Sequence, residues 1–244
     1  MKTIWTIARR ELSAYFSSPV AYVFIVIFLL LTGFFTFMVG RFFERGSADL
    51  LTFFVWHPWL YLFLVPAVGM RLWSEELRLG TMELLFTMPV TIWQAILGKF
   101  LASWIFLLIA LLLTFPMVVT VEYLGHPDLG RILSGYGGSF LMAGAFLAIG
   151  SAISAITKNQ VIAFVVSAVV CFLFTASGSP LVLGPVTAWV PGGVVETIAS
   201  MSFLSHFAAI TRGVVDLRDV IFFGSVIGVF LFANTILIEL KKAD

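Results

Sequence analysis

Side chains able to do covalent chemistry are few in this 244-residue sequence and poorly placed for it. Ser177-Gly178 with His206 is the single candidate nucleophile–base pairing, and no motif around Ser177 would activate its hydroxyl. His57, His126 and His206 are scattered, and the lone Cys171 lies in an apolar run. That pattern makes neither a metal set nor a disulfide framework. Gly98-Lys99 is the only Gly-Lys pair, and no Gly-x4-Gly-Lys-Ser/Thr phosphate loop contains it. Nucleotide hydrolysis is therefore not expected of this chain, nor is intramembrane proteolysis.

The densest polar motif runs from Arg71 to Gln94. Ser74 can N-cap a short helix whose first turn carries Glu75 and Glu76, favourable beside the positive end of the helix dipole. Gly80 can end that helix in a left-handed cap, and Thr81 can start another. Pro89 stops the second helix. Thr91-Ile92-Trp93-Gln94 reads as a capping box that opens the next one. The spacing predicts a rigid helix–turn–helix with acidic groups and an apolar Met82, Leu84, Leu85, Phe86 face. Such a knob suits docking onto another protein or packing beneath its own bundle, and spacing alone leaves both open.

The elements that hold this knob are set by composition. Apolar residues make up 61% of the chain and charged residues 11%, with 26 phenylalanines. A soluble domain of this length has too little interior to hide that surface. Fourteen basic against thirteen acidic residues leave a net charge of +1, which is no footprint for nucleic acid. An all-α membrane protein is predicted, with charge-bounded runs of roughly 20 residues placing six spans. They fall near 20–40, 50–71, 98–121, 132–157, 160–180 and 220–239. Lys2, Arg9, Arg10, Arg71, Arg78, Lys99, Lys158, Lys241 and Lys242 then share one side. Arg41, Arg45, Arg131, Arg212 and Arg218 share the other. The excess of basic residues puts both termini in the cytoplasm.

Residues 1–18 form their own unit. Ile4, Ala8, Leu12 and Tyr15/Phe16 repeat at helical spacing opposite Lys2, Thr6, Arg9, Arg10, Ser13 and Ser17, as in an interfacial amphipathic helix. The span is too long and its flanks too charged for a cleaved signal peptide. Ser18-Pro19 turns the chain into the six-span unit, 19–244. Its uncharged run from Asn159 to Val195 is too long for one crossing and too short for two. Gly184-Pro185 and Pro191-Gly192-Gly193 interrupt it. Residues 184–211 read as re-entrant at the outer side, because Glu196 and His206 make a full crossing costly. Asp216 or Asp219 can cap the last span. No span centre holds an Asp, Glu, Lys or Arg, which argues against ion coupling and suits lipid-like or polypeptide cargo. Glu122, His126, Asp128 and Arg131 read as solvated outer-loop charges. Gly224-x3-Gly228 and Gly144-x3-Ala148 permit close helix approach.

Glu75-Glu76, Gly80-Thr81, Glu83-Leu84-Leu85, Pro89-Val90 and Gly98-Lys99 together resemble the cytoplasmic segment of type-2 ABC exporter permeases. Ser17-Ser18-Pro19-Val20-Ala21-Tyr22, Thr157-Lys158-Asn159-Gln160 and the stretch Ser205-His206-Phe207 to Asp219 resemble the gliding-motility and nitrous-oxide-maturation branch. Leu133 to Gly138 superficially resembles an ABC ATPase signature, but it heads an apolar span and reads as small-residue packing.

The resemblance implies a coupling segment over 74–91, with Glu75, Glu76, Gly80, Thr81, Glu83, Leu84, Leu85 and Pro89 engaging a separate ATPase subunit. It implies an outer gate that includes Pro191, Gly192, Gly193, Glu196, His206 and Arg212. It further implies a homodimer with two ATPase copies, ATP and magnesium held on the ATPase alone, a bacterial inner membrane, and an accessory extracytoplasmic or membrane protein. An alternative is a mechanical transmitter acting on an extracytoplasmic partner without moving a solute.

Overall fold

The structure is a computed structural model and describes residues 2–87, 89–179 and 192–243. Every regular element among the described residues is helical. Helix α1 (Lys2–Ser17) is followed by Ser18, whose side chain accepts the Val20 amide while Pro19 takes the first helical position of α2 (Pro19–Phe34). A π-helical turn, Phe35–Val39, extends α2. Helices α3 (Leu51–Val55) and α4 (His57–Gly69) meet at Trp56. Pro58 has no amide hydrogen to give the Phe54 carbonyl, so the helix breaks there. Helices α5 (Arg71–Leu79) and α6 (Met82–Thr87) lead to α7 (Ile92–Leu112). Pro116 divides α7 from α8 (Pro116–Leu124) for the same reason.

Asp128 caps α9 (Leu129–Ser154) by accepting the Gly130 and Arg131 amides, and Asn159 caps α10 (Gln160–Ala176) by accepting those of Val161 and Ile162. Helices α11 (Gly192–Ser200), α12 (Phe203–Thr211) and α13 (Leu217–Ala243) complete the described chain. Asp216, not Asp219, caps α13, accepting the Arg218 amide at 3.0 Å.

Among the described residues, four helical stretches are long and apolar enough to cross a bilayer: Pro19–Val39, Ile92–Leu124, Leu129–Ser154 and Leu217–Lys242. Gln160–Ala176 is apolar but shorter. The stretch expected as one span over 50–71 is the broken α3–α4 pair, and the end of the 160–180 stretch, Pro180, lies outside the described residues.

Helix α9 is the centre of the bundle. Inside the protein lies 67% of its apolar window, against 22–33% for the other three stretches. Small residues allow this. A methyl group at Gly69 would sit 3.1 Å from Gly150 Cα, so α4 and α9 cross with their backbones in contact. Further along the same pair, Ser139 Oγ lies 2.8 Å from His57 Nδ1 and 2.7 Å from the Tyr61 hydroxyl. Around them pack Phe28, Phe53, Phe54 and Phe146.

The apolar stripe of α1 packs on protein. Ile7 lies against Gly98, where a Cβ would be 2.6 Å from Ile7 Cγ2. Tyr15 stacks on Phe106 at 5.0 Å and its hydroxyl lies 2.9 Å from Ser103 Oγ. Burial pushes the Tyr15 phenol up to about 12. These contacts step in the same order along both helices, so α1 runs beside the start of α7.

Candidate functional site

The knob between α4 and α7 begins earlier than a Ser74 cap predicts. Met70 keeps right-handed helical angles and α5 starts at Arg71, so no free amides await a cap at Ser74. The Ser74 hydroxyl, buried within α5, donates to the Met70 carbonyl instead. Gly80 does end α5 in the left-handed region, with φ +71°. Thr91 and Gln94 form both hydrogen bonds of the capping box at the start of α7.

One side of α5 is tied to α9 and α7, and through the residues it meets there to α13 and α1. Trp73 is fully buried, and its indole N–H donates to Ser151 Oγ of α9 at 3.3 Å. Asn234 of α13 donates to the same oxygen at 2.7 Å. Glu76 Oε1 lies 2.8 Å from Lys99 Nζ of α7. Glu11 Oε1 of α1 lies 3.7 Å from the same ammonium, and the Trp73 ring centroid 5.4 Å from it. The Lys99 side chain is only 8% exposed. Glu76 Oε2 is buried with no hydrogen-bond partner among the described residues, so Lys99 is what balances this carboxylate. Glu75 pairs instead with Arg71 one turn back, at 3.2 Å with both side chains about one-third exposed, a contact worth little.

The opposite side is free. Arg78, Leu79, Gly80, Thr81, Glu83 and Pro89 are exposed, whereas Met82 is buried. The side chains of Leu84 and Leu85 lie outside the described set. Among the residues expected to engage a partner, Gly80, Thr81, Glu83 and Pro89 are thus exposed, and Glu76 faces inward. Sequence reasoning missed Leu79, an exposed apolar side chain beside the Gly80 turn, and the bridging place of Lys99. A lysine one residue before a long charge-free run was the available signal for Lys99.

The described outer-gate residues differ in burial. Pro191 lies outside the described residues, as does the 184–191 part of the expected re-entrant segment. Gly192, Gly193 and Glu196 are exposed on α11, and Arg212 is exposed at the end of α12. Among the five that are described, only His206 makes a buried tie. Its Nδ1 lies 2.5 Å from Asp219 Oδ1 of α13, its Nε2 2.8 Å from the Ser200 carbonyl, and its ring stacks on Phe222 at 4.0 Å. A carbonyl oxygen only accepts, so Nε2 carries a hydrogen. The bond to Asp219 then requires a second proton, on Nδ1 or on the carboxyl. Asp219 Oδ2 is buried without a partner among the described residues. Gly213 follows with φ +89°, turning the chain toward α13.

A protein-family model described as "ABC-2 family transporter protein" matches residues 44–233. The matched stretch includes the knob, all of α9 and the His206–Asp219 tie. No curated protein matches the chain.

Proposed function

The chain belongs to the ABC-2 family of transporter proteins, and on that premise we propose that its knob is the element through which a separate ATPase subunit drives the membrane helices. It is a multi-pass membrane protein and the permease subunit of an ABC transporter, whose family works with an ABC ATPase. The observation that carries the coupling reading is the two-sided knob. Its tip, Arg78 to Thr81 with Glu83, is exposed, while Trp73 and Glu76 fix its inner side to α9 and α7, and Lys99 links it on to Glu11 of α1. A displacement imposed on the tip passes to those helices, because close-packed contacts move as units rather than deform.

In this reading the α2, α3–α4, α7–α8, α9, α10 and α13 stretches make six spans, with both termini in the cytoplasm of a bacterial inner membrane. Helix α4 rises roughly 20 Å, to which α3 adds, and α10 roughly 26 Å, against the ~30 Å hydrocarbon thickness. Helices α11 and α12 stand at the outer side, held to α13 by His206 and Asp219, and close the path there. Two copies work with two ATPase subunits, which hold the ATP and magnesium.

The test is a single cysteine at Thr81 or Glu83 in the assembled complex. Cross-links to the ATPase and loss of nucleotide-driven change in the membrane helices on Glu83→Lys, with thermal stability intact, support the reading. Cross-links at both positions to other membrane proteins alone overturn it.

A further inference from the structure

We propose that the outward face of α1 binds the phosphate of an anionic phospholipid headgroup. The apolar stripe of α1 is covered by α7, so acyl chains are not what its free side meets. That side presents Lys2, Trp5, Thr6, Arg9, Arg10 and Ser13, all exposed and spaced along one helical face. Trp5, Thr6, Arg9, Arg10 and Ser13 line one groove. Each of these five side chains carries N–H or O–H donors and none is acidic. Two adjacent guanidinium groups with hydroxyl neighbours form a donor set suited to phosphate oxygens.

The single acid of α1, Glu11, is shared by Arg10 at 2.8 Å and the buried Lys99 at 3.7 Å, so its one charge faces two cations. Arg9 makes no ion pair among the described residues. The face is therefore cationic and complementary to an anion.

Depth identifies the anion as lipid. Lys99 is the last charge of α7 before the charge-free stretch that begins at Phe100, and Glu11 stands level with Lys99. Arg9 and Arg10 consequently lie where the apolar layer starts, which is the headgroup zone. Trp5 is 61% exposed one turn further out, and tryptophan is the side chain that prefers that zone. Ser18, in extended conformation, joins α1 directly to the membrane-length stretch Pro19–Val39.

The experiment uses the full chain, delipidated in detergent and titrated with palmitoyl-oleoyl phosphatidylglycerol, the matching phosphatidylcholine, or inorganic phosphate, with bound molecules counted by native mass spectrometry. The wild type is expected to prefer phosphatidylglycerol. Arg9→Gln/Arg10→Gln should weaken that binding about 25-fold, roughly fivefold for each basic group. Arg45→Gln, an exposed arginine outside α1, should leave it unchanged. Equal binding of the two lipids, or a preference that survives the double substitution, overturns the proposal. Inorganic phosphate bound as tightly as the lipid makes this a free-anion site and also overturns it. Protection of α1 from hydrogen exchange that ignores lipid charge and appears only with a bound ATPase subunit assigns the face to that protein instead.

Discussion

Lys99 Nζ stands 2.8 Å from Glu76 Oε1, and this contact ties the knob to the helix that follows it. The two residues come from α7 and α5, with the turn at Gly80 and all of α6 between them. Lys99 is nearly buried and Glu76 is 21% exposed, so solvent screens the pair less than a surface pair. Lys99→Met leaves Glu76 without its cation and Glu76→Gln leaves Lys99 with only Glu11. The double substitution should cost less than the sum of the two, with a coupling of roughly 1–3 kcal/mol in thermal unfolding of the purified chain. Additive losses would show that the pair contributes nothing.

Gly69→Ala places a methyl group 3.1 Å from Gly150 Cα, against backbone that cannot swing aside. Forcing α4 and α9 apart should destabilise the fold by about 1–3 kcal/mol. Gly224→Ala, where no atom lies within 4 Å, serves as the control and should show no loss. Equal melting temperatures for the two variants would contradict the close crossing.

The turn between α5 and α6 depends on Gly80 at φ +71°. Nothing lies within 4 Å of its missing Cβ, so backbone conformation alone penalises a substitution there. Gly80→Ala should cost about 1 kcal/mol, Gly80→Asn less and Gly80→Val more. The order Asn, Ala, Val in melting temperature is the check, and any other order argues against the left-handed cap.

Removing His206 leaves Asp219 buried with both oxygens unpartnered. His206→Ala should therefore cost about 1–3 kcal/mol and speed hydrogen exchange over 203–211. His206→Ala/Asp219→Ala should recover part of that stability, because the orphaned carboxyl is gone. Slower exchange in the double variant than in the single one is the expected reading.

Burial pushes the Tyr15 phenol up to about 12, while the same group in an unfolded chain ionises near 10. Its contribution is complete below pH 10 and is lost as pH rises from 10 to 12, since only the unfolded chain readily releases the proton. Tyr15→Phe should flatten this part of the stability–pH curve. A curve unchanged by the substitution would show that Tyr15 is not the group responsible.

What the residues determine alone is what short-range geometry controls. The Thr91–Gln94 capping box, the left-handed Gly80 and the Ser18-Pro19 start of α2 each join groups two to four residues apart, so neighbours in sequence settle them. For the cap of α13, sequence leaves Asp216 and Asp219 both open. Apolar composition likewise dictates a membrane protein, because the surface has no other place to go. Ser74 marks the limit: its type suits a cap, but α4 passes into α5 without freeing amides, and that depends on where α4 packs. The periodicity of α1 predicts which face is apolar and not what covers it. Bilayer and helix α7 are equally good apolar partners, and only tertiary packing chose α7. The same packing turned Glu76 inward to Lys99, joined His206 to Asp219 and set Gly69 against Gly150. Each of these is a meeting of distant segments, whose free energy comes from burial and charge pairing that no local pattern records.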